Sequence, residues 1–240
     1  MTRASVFVAI DTPDLARAEA LGHHLADAVD GVKLGLEFFS ANGPEGVRRL
    51  RQAGLPVFLD LKLHDIPNTV AGAAHAAGRL GVDILTIHAA GGTAMMQAAV
   101  KAAAAGAAEV FAPSPRVIAI TVLTSLSDAD VAAIGYRGTS AAALAPDLAT
   151  LARNAGCAGI VCSPLEVTAI RSHWPSGLLV TPGIRPAGSD AGDQSRLATP
   201  AAAQQAGASV LVIGRPITAA ASPRAAALAI RAELVASTSP

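Results

Sequence analysis

The 240-residue chain has only two cysteines, Cys157 and Cys162, and their spacing makes neither a disulfide framework nor a metal-ligand pattern. Cys162 lies in the apolar run Gly159-Ile160-Val161-Cys162-Ser163 and reads as a small buried residue. None of the six histidines falls in a spacing such as His-Glu-x-x-His, so no metal site is expected. Charge is scarce and balanced: 18 Lys and Arg face 18 Asp and Glu, 15% of the chain. A net charge of zero offers no basic face for nucleic acid. It also gives little electrostatic protection against self-association, so a homo-oligomer is expected. No uninterrupted apolar stretch reaches the roughly 20 residues that span a bilayer. The chain does not open with a basic, apolar and small-residue leader pattern, so a soluble cytoplasmic protein is expected. No Gly-x-Gly-x-x-Gly follows the first apolar run and no Walker motif is present, which removes the main nucleotide-binding forms of open α/β sheets.

What the chain does have is apolar residues, 52% of the total, enough for a large core. They fall into eight short runs: Val6–Asp11, Val32–Gly35, Val57–Lys62, Ile84–His88, Val117–Thr124, Gly159–Ser163, Leu178–Gly183 and Val210–Arg215. Segments rich in Ala, Leu, Arg and Glu separate them and favour helix. Glycine closes several of these segments, as at Gly54 and Gly156, in the manner of a helix C-cap. Near-continuous apolar strands alternating with helices imply a parallel sheet covered by helices. Eight such units in this length predict a single (β/α)8 barrel over residues 1–240, with its site at the C-terminal ends of the strands. No linker or change of composition divides the chain. The one long irregular stretch, Pro182–Arg196, follows the seventh strand and fits a functional loop.

Polar residues at those strand ends carry the chemistry. In Phe58-Leu59-Asp60-Leu61-Lys62-Leu63-His64-Asp65-Ile66-Pro67-Asn68-Thr69, alternation sends Asp60 and Lys62 to one face and Leu59, Leu61 and Leu63 to the other. Buried charge needs pairing, so the cluster is a salt-bridge network or an active site. Asp65 precedes Ile66-Pro67 and could equally serve a helix start. Asp11 ends the first run, where Thr12 and Pro13 resemble a helix start that it could cap. Lys33 lies within an apolar strand and calls for a partner or a ligand. Thr124 is a turn group or a ligand. His64 and His88 read as structural. After the last two strands, Thr181-Pro182-Gly183-Ile184-Arg185-Pro186 and Val212-Ile213-Gly214-Arg215-Pro216 combine glycine with arginine. Loops in these positions of barrels commonly bind phosphate, and the arginine fork matches phosphate oxygens.

The pattern Asp-x-Lys-x-x-Asp-Ile-Pro-Asn-Thr at Asp60–Thr69 resembles the signature of the orotidine 5'-phosphate decarboxylase family. Leu123-Thr124-Ser125, Thr181–Pro186, Gly192-Asp193-Gln194 and Ile213–Pro216 match the same family in the same order. The resemblance implies a cofactor-free enzyme that removes CO2 from C6 of orotidine 5'-phosphate to give UMP. It implies that Asp11 and Lys33 contact the ribose, that Thr124 bonds the pyrimidine amide, and that Gln194, Gly214 and Arg215 hold the 5'-phosphate, with Arg185 beside them. It assigns catalysis to Lys33, Asp60, Lys62 and Asp65, with Lys62 protonating C6. It further implies a homodimer in which Asp65 and Thr69 reach into the neighbouring subunit's site.

Two other readings share parts of the pattern. The shorter Asp-x-Lys-x-x-Asp core also occurs in metal-dependent sugar-phosphate barrels resembling 3-hexulose-6-phosphate synthase. The Asp65–Thr69 continuation and the Leu123-Thr124-Ser125 segment argue against that reading. A barrel that merely binds a phosphorylated ligand would not need four charges facing one position.

Overall fold

The computed structural model describes residues 3–186 and 197–238. Its strands are β1 (Ser5–Ile10), β2 (Gly31–Leu34), β3 (Val57–Leu63), β4 (Ile84–His88), β5 (Arg116–Ile120), β6 (Gly159–Val161), β7 (Leu178–Thr181) and β8 (Val210–Ile213). Helices α1 (Leu15–Leu25), α2 (Leu36–Arg51), α3 (Pro67–Arg79) and α4 (Gly92–Glu109) follow the first four strands in turn. Beyond β5 lie α5 (Asp128–Ala133) and α6 (Ala141–Asn154), beyond β6 lies α7 (Val167–His173), and α8 (Pro200–Ala206) precedes β8. After β8 come the short α9 (Arg215–Thr218) and α10 (Pro223–Ala236). Every strand pairs in parallel with its sequence neighbour, and β8 closes onto β1. The result is the closed eight-stranded barrel that the alternating runs predict. Among the described residues, no helix is long and apolar enough to cross a membrane.

The period of two along each strand divides the apolar residues into two cores. A small cluster of Phe7, Ala9, Phe58, Ile84, Ile118, Val180, Val210 and Val212 fills the barrel. A larger cluster, including Val6, Val8, Leu59, Leu85, Ile160 and Leu211, packs the outer face of the strands against the helices. Each fully buried side chain of this kind contributes about 1.5–3 kcal/mol of transfer free energy. Apolar filling stops short of the barrel mouth, where the inward positions turn polar.

Most strands end before the apolar runs do. β5 ends at Ile120 rather than Thr124, and β7 at Thr181 rather than Gly183. Pro182 has no N–H to continue the ladder. β8 stops at Ile213 because Gly214 becomes the N-cap of α9. The polar ends of these runs therefore stand on the rim, beyond the hydrogen-bonded ladder. Gly54 and Gly156 lie just past α2 and α6 at φ 76° and 86°, as helix-closing glycines do.

The segment after β3 is held by an unusually close helix pair. A Cβ at Gly78 of α3 would collide with the backbone carbonyl of Ala103 on α4. A Cβ at Gly106 of α4 would collide with the carbonyl of His75 on α3. Two glycines thus let the backbones touch, and α3 in turn fixes the Asp65–Thr69 segment at its start. Gly106→Ala should destabilise the protein by about 1–3 kcal/mol, the usual cost of overpacking. A urea titration checks this, and an unchanged midpoint would contradict the close contact.

Candidate active site

At the C-terminal mouth of the barrel a cavity of about 300 Å³ opens among the strand ends. Its walls include Asp11, Lys33, Asp60, Lys62, Thr124, Arg185, Gly214 and Arg215. Seven of the eight strands or their following loops contribute. Residues between 11 and 215, read separately from the sequence, are therefore brought to one place. Gln194, the remaining expected phosphate ligand, lies outside the described residues.

Four side chains form an alternating row of charge on one wall. Lys33 Nζ donates to Asp11 Oδ1 at 2.8 Å and stands 3.8 Å from Asp60 Oδ2. Lys62 Nζ donates to the same Asp60 Oδ2 at 2.7 Å. Asp60 and Lys33 are buried, at 7% and 9% exposure, whereas the Lys62 and Asp11 side chains reach the cavity. A buried carboxylate is costly unless several donors meet it, and two amines do so here. Asp11 is free for this role because a different residue caps α1: Asp14 Oδ1 accepts the Arg17 N–H at 3.1 Å. The capping alternative for Asp11 is thereby removed.

Two features of this wall were not legible beforehand. Lys62 has φ 51°, one of two non-glycine residues with positive φ among those described. Such a backbone costs an L-residue on the order of 1–2 kcal/mol. Pairing between β3 and β4 is also irregular there, jumping from Leu59↔Leu85 to Leu63↔Ile87. The second feature is Thr86, fully buried on β4. Its hydroxyl accepts the Lys62 N–H at 2.9 Å and donates to Asp60 Oδ1 at 2.9 Å. The available signal was a polar residue two positions before His88 in an otherwise apolar strand. A further residue, Gly35, also escaped notice. A Cβ there would lie 3.0 Å from both Asp11 Oδ1 and Lys33 Nζ, so any side chain would press on the ion pair.

Asp65 and Thr69 do not line the cavity of their own chain. Both are exposed, beside Ile66 at 66% exposure. Asp65 Oδ1 accepts the N–H of its neighbour Ile66 at 2.6 Å, but no side chain caps the first turn of α3. On the opposite rim, most of the Pro182–Arg196 stretch lies outside the described residues, and the chain on either side of residues 187–196 is joined by a parallel bridge between Ile184 and Ala198. There the Arg185 N–H donates to the Ala198 carbonyl at 3.0 Å.

His88 lies beside this wall and stacks on His64, with ring centroids 5.3 Å apart. Burial, reinforced by the positive charges of His64 and Lys62, pushes its pKa down from 6.5 to about 4. A neutral imidazole near Lys62 avoids adding a further cation beside the row of charge. The unfolded chain takes up a proton near pH 6.5 that the folded chain refuses until about pH 4, so stability falls as pH drops through this window. His88→Gln should flatten the decline. Denaturant midpoints at several pH values across the window check it, and an undiminished slope would contradict the burial of His88.

Comparison with known proteins agrees with this arrangement. The profile of the "Orotidine 5'-phosphate decarboxylase / HUMPS family" matches residues 4–230. An orotidine 5'-phosphate decarboxylase of Paramagnetospirillum magneticum is 56% identical over 230 residues, covering 95% of this chain and 97% of that protein. One from Moorella thermoacetica is 54% identical over 231 residues, covering 95% and 91%. The crystal structure of an orotidine 5'-phosphate decarboxylase from Lactobacillus acidophilus superposes with a TM-score of 0.81 at 38% identity, covering 97% of this chain and 99% of the other. A barrel with this row of charges and a match over nearly its whole length places the chain in the orotidine 5'-phosphate decarboxylase / HUMPS family.

Proposed function

We propose that the chain decarboxylates orotidine 5'-phosphate to UMP and CO2, the closing step of pyrimidine nucleotide synthesis, with Lys62 as the proton donor. The observation that carries this reading is the Lys62 ammonium, bonded to buried Asp60 and facing the cavity. The names of relatives at about half identity or more support decarboxylation over the sugar-phosphate branch of the same family.

The chemistry explains why such a wall is needed. The bond from C6 to the carboxylate breaks, CO2 leaves, and the electron pair stays on C6. No adjacent carbonyl can absorb that pair, so catalysis must come from fixed charge and positioning, a task of roughly 20 kcal/mol. Lys62 sits where it can stabilise the developing carbanion and then transfer a proton from Nζ to C6. Water afterwards reprotonates the amine. Asp60 acts on the ground state as well: two like charges about 4 Å apart cost on the order of 4 kcal/mol at an effective dielectric near 20. That is too little alone, so the larger share falls to transition-state stabilisation by Lys62.

Binding energy enters from the other rim. Arg215 and the Gly214 backbone, with Gln194 and Arg185, would hold the 5'-phosphate, while Asp11 and Lys33 take the ribose and Thr124 the pyrimidine. Phosphate binding remote from C6 can then be spent on organising the reactive form. The exposed Asp65-Ile66 corner fits a homodimer in which Asp65 and Thr69 complete the partner's site, extending the charge row by one carboxylate.

Lys62→Ala should lower kcat on orotidine 5'-phosphate by about 10³-fold or more, because it removes the acid and its charge together. UMP should still bind. Near-normal turnover in that variant would remove Lys62 as the donor. Arg215→Ala should weaken UMP binding by about 10- to 100-fold while leaving uridine little changed, since one charge-assisted contact is lost. Equal losses for the two ligands would sink the phosphate assignment.

A further inference from the structure

We infer that Thr86 is a positioning residue for catalysis: through one hydroxyl it holds the backbone turn that aims Lys62 and orients the carboxylate that faces it. This inference rests on the reading of Lys62 as the proton donor.

Three observations meet at this side chain. Lys62 is held at φ 51°, in a region that a lysine does not choose unaided. Its N–H has left the β3–β4 ladder at the point where the register jumps, and the Thr86 Oγ1 accepts it at 2.9 Å. The same oxygen donates its hydrogen to Asp60 Oδ1 at 2.9 Å, while Lys62 Nζ occupies Asp60 Oδ2 at 2.7 Å. Backbone N–H, hydroxyl, carboxylate and ammonium thus close a ring that begins and ends on Lys62. The hydroxyl is used once as donor and once as acceptor, and Thr86 itself is fully buried.

The ring constrains the amine at both ends. Without the Thr86 acceptor, the Lys62 N–H would be left without its partner in the barrel wall, and the turn would be free to relax toward an ordinary strand. Relaxation would carry the Cα–Cβ bond of Lys62 away from its present direction. Without the Thr86 donor, Asp60 would lose one of the groups that fix its plane, and Oδ2 would no longer be locked against Nζ. Thr86 does not line the cavity. Its removal should therefore leave ligand contacts in place while misaligning the proton donor, and small misplacements of reacting groups are costly to rate.

Thr86→Val keeps the shape of the side chain and deletes the hydroxyl, and Thr86→Ser keeps the hydroxyl. In Thr86→Val, kcat on orotidine 5'-phosphate should fall about 10- to 100-fold, the effect of two lost hydrogen bonds of which one is to a carboxylate. The Kd for UMP should change by less than about threefold, and Thr86→Ser should recover kcat to within about threefold of the wild-type value. Should the valine variant fail to fold, Thr86→Cys takes its place, since a thiol is a weak donor and acceptor of similar size. An unchanged kcat in the hydroxyl-free variant overturns the inference. So does an equal loss in Thr86→Ser, or a loss of UMP affinity that matches the loss of kcat. Inactivity of the wild-type protein on orotidine 5'-phosphate, or full activity of Lys62→Ala, would overturn the proposed function and this inference together. Activity lost in Lys62→Ala but kept in Thr86→Val would overturn this inference alone.

Discussion

One buried carboxylate governs the arrangement of this site. Asp60 is 7% exposed in the middle of β3, where an unpaired charge would be untenable. Two amines and a hydroxyl compensate it: Lys62, Lys33 and Thr86. Each of those groups is in turn fixed by another element. Lys33 is drawn to Asp11 just beyond β1, Thr86 is embedded in β4, and Lys62 is bent out of the ladder of its own strand. A charge that cannot be left alone thereby orders the side chains of four consecutive strands.

The barrel makes this order possible by separating stability from chemistry. Below the mouth, Phe7, Phe58, Ile84, Ile118 and Val212 exclude water from the interior. Above them the inward positions carry charge, so the polar groups rest on a dry and densely packed floor. Rigid packing also reaches the loops. The α3–α4 contact permitted by Gly78 and Gly106 anchors the segment that carries Asp65 and Thr69. The bridge from Ile184 to Ala198 joins the described chain on either side of residues 187–196. Strain at Lys62 is affordable in such a frame, because the surrounding ladder fixes both ends of the irregularity.

Much of this was legible in the chain itself. Alternating apolar runs gave the number and order of the strands, and β4 begins and ends where its run does. Six of the other strand ends were overextended, because polar rim residues such as Thr124 and Arg215 continue an apolar pattern without continuing the ladder, whereas β3 runs one residue past its run, to Leu63. Asp11, Lys33, Asp60 and Lys62 could be grouped as inward residues of neighbouring strands, and the cavity brings them together. The conformation of Lys62 could not be read, since a lysine at positive φ has no sequence mark and is held there by a tertiary hydrogen bond. Thr86 was hidden for a similar reason: threonine is an ordinary strand former, and its importance comes from what faces it across the ladder. The choice between capping and pairing for Asp11 was decided by its neighbour, Asp14, which takes the cap.

The account stands on the claim that fixed protein charge alone drives loss of CO2 in this cavity. The most direct test is the ultraviolet absorbance of orotidine 5'-phosphate incubated with the purified protein, with and without a strong chelator. The account predicts rapid loss of the orotate chromophore at the same rate in both. A stable chromophore, or a loss abolished by the chelator, would contradict it.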